Sequence, residues 1–225
     1  MKTQSVPPNV GNFIQSLRDI GYTFEVAVAD VLDNSISANS SHIQIHSVAQ
    51  PELFFCMLDN GFGMTELDLI EAMRLSSKGP NDKRDVKDLG KFGLGLKTAS
   101  FSQCKKLTVL SKKENKVAIK QWDLDYISEQ NDWLLITPNI DDFNNTPLIN
   151  EFNNLKNGTL VIWQKIDQIQ NEDFSDNTDK VIKHLSLVFH RFLEARFNCL
   201  KITFNNSELK PFNPFHIEHN ATQEK

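Results

Sequence analysis

Cysteine is scarce in this chain: three residues in 225, Cys56, Cys104 and Cys199, none in a CxxC pair or beside histidine at metal-ligand spacing. That excludes a disulfide scaffold and a zinc module. It suits reduced, partly buried thiols in a cytoplasmic protein. No run of 18 apolar residues occurs, and MKTQSVPPNVGNFIQ has no apolar centre of signal-peptide length. Neither a membrane span nor a secretory leader is expected. Positive charge is not in excess, since 24 Lys and Arg stand against 29 Asp and Glu for a net charge of -5. Direct binding of nucleic acid through bulk electrostatics is therefore not expected. Internal repeats and low-complexity tracts are lacking too. What remains is a chain with 40% apolar residues, long enough to bury a sizeable core.

Apolar spacing orders that chain. Pro7 and Pro8 keep the first ten residues irregular. A short helix is expected around Asn12 to Ile20 and a second from Phe24 to Ala38. HIQIHSV alternates and PELFFCMLDN ends an apolar run at Asp59, so two strands joined by a turn at Gln50 and Pro51 follow. Residues 65–75 return to helical spacing, and GLKTASFSQC does so again after a charged, glycine-bearing loop of about twenty residues. KLTVLSK, KVAIKQWDL, DWLLIT and GTLVIWQ read as strands, with NIDDFNNTPLIN as an acidic, Asn-rich linker among them. A long helix from Thr178 to Phe197, with Phe189, Phe192 and Phe197 as core packing, and a short strand KITFNN complete the order. The class is α+β, a two-layer sandwich of a mixed, largely antiparallel sheet with helices on one face.

Three segments carry candidate chemistry. In VADVLDNSISAN, residues 28–39, Val28, Val31, Leu32 and Ile36 form a helical apolar stripe while Asp30 and Asn34, four apart, share a second face. In LDNGFGM, residues 58–64, an acidic residue ends an apolar strand, and Gly61 and Gly63 let the backbone turn sharply; a hairpin turn has the same wording. GKFGLGLKTAS, residues 90–100, sets Gly90, Gly93 and Gly95 before a helix bearing Lys97, Thr98 and Ser100. A helix N-terminus with free N–H groups and a nearby lysine is an anion site. It is neither a P-loop, because Leu96 separates Gly95 from Lys97, nor a dinucleotide fingerprint, because Thr98 stands where glycine is needed. From Lys78 to Lys97 there are six basic residues against three acidic, a local excess of positive charge in an acidic chain.

In this order the three segments resemble the ATP-binding domains of the GHKL superfamily, the Bergerat fold, which includes Hsp90, DNA gyrase B, MutL, histidine kinases and MORC proteins. The wording GKFGLGLKTASF looks most like the prokaryotic MORC-like ATPases. The resemblance implies an N-terminal segment at 1–15, an ATP-binding domain at 16–215 with an ATP lid at about 76–95, and a tail at 216–225 leading toward a second domain or a partner protein. It implies ATP and magnesium as ligands, with Asn34 as the protein's magnesium ligand and Asp59 accepting from the adenine amino group. Gly61 and Gly63 would allow close approach of the nucleotide. Lys78, Gly90, Gly93, Gly95, Leu96, Lys97 and Thr98 would surround the triphosphate, and Thr159 would support Asp59 from a neighbouring strand.

One departure bears on catalysis. Where hydrolytic members carry glutamate four residues before the asparagine, this chain has Asp30, shorter by one methylene. Asp33 points roughly 100° away around the helix, so it is expected to cap or pair outside the pocket. Asp30 is expected to orient the attacking water, with slow hydrolysis to ADP and phosphate. The resemblance further implies a nucleotide-dependent homodimer and a setting on DNA or in defence. A non-hydrolysing ATP sensor is the alternative; a histidine-type kinase fits least, since no phospho-acceptor helix pair precedes the domain. His42 and His46 share a strand face without acidic or cysteine partners and read as surface residues.

Overall fold

Asparagine 9 opens the first helix: its side chain accepts from the Asn12 amide at 3.0 Å, so α1 spans Val10–Arg18 rather than starting at Asn12. The computed structural model describes residues 2–6, 8–75, 95–194, 200–212 and 214. Lys78, Gly90, Gly93, Cys199, the body of the expected lid and the 216–225 tail lie outside them. Helix α2 (Phe24–Ser37) buries Ala27, Val28, Val31 and Leu32 along the expected stripe. Strands β1 (His42–Val48) and β2 (Phe54–Asp59) follow, then α3 (Glu66–Met73), closed by a capping box between Thr65 and Asp68. Helix α4 (Gly95–Gln103), β3 (Cys104–Lys113), β4 (Lys116–Asp123) and α5 (Leu124–Gln130) come next. The remainder is α6 (Ile149–Asn154), β5 (Gly158–Ile166), α7 (Phe174–Val188), α8 (His190–Leu193), β6 (Lys201–Phe204) and β7 (Ser207–Glu208).

The strands form a seven-stranded sheet ordered β4-β3-β5-β2-β1-β6-β7. Among the described residues only the β1–β6 pair is parallel, so the sheet is mixed and largely antiparallel as expected. Because strand side chains alternate between faces, β2 sends Phe55, Met57 and Asp59 toward the helices and Cys56 and Leu58 to the other side. On the helical face Trp163 is the largest fully buried side chain. It stacks on Phe55 at 4.6 Å, meets the edge of Phe24 at 6.0 Å, and donates its indole N–H to Ser100 Oγ at 2.8 Å.

Three expected elements differ. DWLLIT makes only one bridge, Ile136 with Gln121 at 2.9 Å both ways; Pro138 follows, and without an N–H it cannot extend a ladder. The supposed linker is structured: Ile140–Phe143 forms a 3-10 turn and α6 follows, burying Phe143, Ile149 and Phe152 against Cys56, Leu58, Leu110, Leu160 and Ile162. Helices therefore dominate one face, while this segment covers part of the other. The long C-terminal helix begins at Phe174 and breaks at Phe189, whose φ of -100° and ψ of 14° separate α7 from α8. Phe189 is buried as expected, but the break leaves Phe192 40% exposed.

Candidate functional site

A cavity of about 910 Å³ opens on the helical face of the sheet. Asp59, Thr159, Val161 and Val109 contribute to its lining from the strands, Asn34 and Ser35 from α2, and Leu96 from the first turn of α4. Phe62 and Phe192, both substantially exposed, add aromatic surface.

Asp59 is the chemical centre of that cavity. At 4% exposed, its carboxylate is out of water. Oδ1 accepts the Gly61 amide at 2.8 Å and Oδ2 accepts the Ser35 hydroxyl at 3.0 Å. Burial pushes the carboxyl up to about 6, against the opposing pull of Gly61, Ser35 and the Thr159 amide. Each carboxylate oxygen has a second lone pair, so Asp59 can still accept from a ligand in the cavity. Ser35 escaped sequence reading, although a hydroxyl adjacent to Asn34 on the buried side of α2 must find a partner.

The glycines have reasons of their own. Gly61 packs so closely that a Cβ there would lie 2.7 Å from both Ala38 Cβ and the Ala38 carbonyl oxygen. Gly63, at φ 64°, brings the chain against the Lys112 carbonyl, where a side chain would collide. Gly158, which sequence reading passed over, does the same against the Asp59 carbonyl. Thr159 pairs with Asp59 across the β2–β5 ladder, and its hydroxyl lies 2.9 Å from Ser111 Oγ. Ser111, also passed over, accepts the Met64 amide at 2.9 Å and so anchors the Gly61–Met64 turn to the sheet.

Asn34 is exposed, and its Nδ2 donates to the Asp30 carbonyl at 2.8 Å. With the amide nitrogen tied to its own helix, Oδ1 is the free end. Asp30 is half-buried, and its Oδ2 accepts the Tyr22 hydroxyl at 2.9 Å. A Cβ added at Gly95 would stand 3.8 Å from that same Oδ2, so Asp30 faces the start of α4. Asp33 is half-buried with its carboxyl raised by burial first and by the Asp30 charge second. Among the described residues no group of three or more His, Cys, Asp or Glu gathers around a metal position. The Asn34 amide oxygen on the cavity lining is a hard donor, which fits an ion that takes phosphate oxygens and water for its other ligands.

Lys97 packs against α3. Its side chain is buried, and Nζ donates to the carbonyls of Ala72 and Arg74 at 2.8 Å each. Two of its donors thus serve the carboxyl end of α3. Thr98 is buried in the first turns of α4, close enough to Tyr22 to pull its phenol pKa downward. Asn34, Asp59, Gly63, Leu96 and Thr159 thus line one cavity, with Asp30 bonded to Asn34 on α2 and facing Gly95 at the start of α4.

Among the described residues no helix is long and apolar enough to cross a membrane. Residues 22–159 match the family model described as histidine kinase-, DNA gyrase B- and HSP90-like ATPase. ATPase MORC2B of Mus musculus is 30% identical over 93 residues, which cover 40% of this chain and 9% of that protein. The match thus spans less than a tenth of the mouse relative's length. With more than half of its residues inside the family model and the mixed sheet behind its cavity, the chain belongs to the histidine kinase-, DNA gyrase B- and HSP90-like ATPase family as an ATP-binding module.

Proposed function

We propose that this chain binds Mg-ATP in the cavity around Asp59, hydrolyses it slowly to ADP and phosphate, and uses nucleotide occupancy as a conformational or dimerisation switch. The observation that carries this reading is the Asp59 carboxylate, buried in the cavity and held by Ser35 and Gly61, with acceptor capacity left for one amino group. Such an acceptor favours adenine, because a carbonyl at the same position would set two acceptors face to face.

The other roles follow from position. Phosphates lie toward Gly95, Leu96 and Thr98 at the start of α4, where helix N–H groups attract negative charge. Asn34 offers its Oδ1 to the magnesium ion, which when bound neutralises phosphate charge. Asp30 orients the attacking water and accepts its proton. Lys97 contributes by fixing α4 against α3. A reduced, cytoplasmic setting suits the free buried thiols of Cys56 and Cys104. Any setting on DNA or in defence, as the MORC resemblance implies, is assigned to an assembly larger than this acidic chain.

One observation favours a non-hydrolysing sensor as the second reading: Asp30 is short, and one of its oxygens is already engaged by Tyr22. The test titrates the protein calorimetrically with magnesium and a non-hydrolysable ATP analogue, then follows phosphate release and sedimentation with ATP. Binding that Asp59→Asn abolishes, turnover that Asp30→Asn abolishes without loss of binding, and a larger sedimenting species with the analogue are expected. No binding by the unmodified chain sinks the proposal; binding without phosphate release selects the sensor; an unchanged sedimentation coefficient removes the dimer.

A further inference from the structure

We infer that Tyr22 is the positioning residue for the Asp30 carboxylate, its hydroxyl fixing the rotation of that carboxylate before the start of α4, where it is to meet the attacking water. The inference rests on the assignment of Asp30 as the base. Its starting point is a problem of length, since an aspartate reaches less far than a glutamate and rotates about a short stem. A shift of about 1 Å at a reacting group costs on the order of a hundredfold in rate. A short base therefore gains from being fixed by a neighbour.

Tyr22 is built to do this. Its hydroxyl donates to Asp30 Oδ2 at 2.9 Å, which fixes the rotation of the carboxylate while leaving lone pairs on both oxygens free to accept. Tyr22 is itself held at its backbone. Its backbone carbonyl accepts Gln103 Nε2 at 3.0 Å, and Gln103 is 1% exposed at the end of α4. Gln103, Tyr22 and Asp30 thus form a connected path from the end of α4 to the base on α2. The phenol proton is held above the ordinary 10.0 by burial first, then by the bond to Asp30 and by its charge, with Thr98 acting in the opposite sense.

Tyr22 lies eight residues before Asp30, in the turn between α1 and α2, so no helical spacing connects them. Tyr22→Phe keeps the ring, the backbone carbonyl and the Gln103 bond while deleting the contact to Asp30. It is expected to lower kcat by on the order of tenfold or more. Affinity for a non-hydrolysable ATP analogue should stay within about twofold, because the lost contact is not to the ligand.

A second readout needs no turnover. The chain has two tyrosines, so in a Tyr126→Phe background the phenol titration followed by carbon NMR reports Tyr22 alone. Adding Asp30→Asn should move the Tyr22 midpoint down. A Tyr22→Phe variant with full kcat, while Asp30→Asn is dead, overturns the positioning role and leaves the base assignment standing. An Asp30→Asn variant with full kcat overturns the base assignment and the catalytic sense of the bond, and the titration then still reads whether the bond exists. Equal losses of kcat, affinity and melting temperature in Tyr22→Phe would show a packing role and overturn the inference. A Tyr22 midpoint indifferent to Asp30→Asn overturns the bond itself.

Discussion

At the scale of single residues, the cavity depends on a carboxylate that burial makes reluctant to ionise. Asp59 titrates near 6 in the folded chain against 3.8 for the unperturbed group. Between those values the folded chain binds a proton that the unfolded chain does not. Its contribution to stability is therefore fully present below the unfolded value and lost as pH rises through about 6. Ligand binding runs the other way, since the ionised form accepts best from an amino group. Affinity for adenosine, which brings no phosphate to titrate, should rise as pH passes through about 6 and level off above it. Ser35→Ala removes a donor to the ionised form, so it should move that midpoint upward. Calorimetry from acid to neutral pH checks both; a flat profile, or a midpoint that Ser35→Ala leaves in place, refutes them. Asp59 was legible from sequence because an acidic residue closing an apolar strand before paired glycines is a local pattern. Ser35 and Tyr22 were not, because their partners are chosen by the fold: Ser35 reaches Asp59 across 24 positions, and Tyr22 reaches Asp30 across a turn.

At the scale of elements, three buried cations each close a helix carboxyl end. Arg18 donates to the Phe101 and Cys104 carbonyls at the end of α4 and pairs with Asp167. Lys112 donates to Phe152 and Asn153 at the end of α6, and Lys97 to Ala72 and Arg74 at the end of α3. Orphan carbonyls and the negative end of the helix dipole both favour a cation there. Burial nevertheless pushes the Lys97 ammonium down to about 8, partly offset by Glu71. Lys97→Met keeps much of the apolar stem and deletes the donor, leaving carbonyls unsatisfied at roughly 1–3 kcal/mol each. A chemical denaturation curve should show that loss, and a curve matching the unmodified protein would refute the anchoring role. From sequence a lysine after three glycines resembles a phosphate ligand, because the text shows its distance from the glycines and not its distance from α3. Element positions read more easily: α2, β1 and β2 lie where periodicity put them, whereas the break at Phe189 carries no Gly or Pro to announce it.

At the scale of the whole molecule, the sheet is a floor for the site on one face and a buried core on the other. The helical face was legible because α2, α3 and α4 each carry a helical apolar period. The second face was not, because residues 139–150 are rich in Asn and Asp and read as solvent-exposed. Phe143, Ile149 and Phe152, on two short turns, cover part of that face, and so short a pattern gives no period to detect. Phe152 is fully buried, and Lys112 Nζ stands 4.9 Å from its ring centre while bonding its carbonyl at 3.0 Å. Phe152→Ala deletes the ring from a closed core, so a loss of about 3–5 kcal/mol is expected, lowering the melting temperature by about 2–4 °C for each kcal/mol. The cavity around Asp59 lies on the other face of the sheet, and the two sites should act independently. Analogue affinity at a temperature where the variant stays folded should therefore change by less than about twofold. A stability loss below about 1 kcal/mol would mean that residues 139–155 behave as the loose linker their composition suggests. A large loss of affinity in folded protein would instead mean that the second core shapes the nucleotide cavity through the sheet.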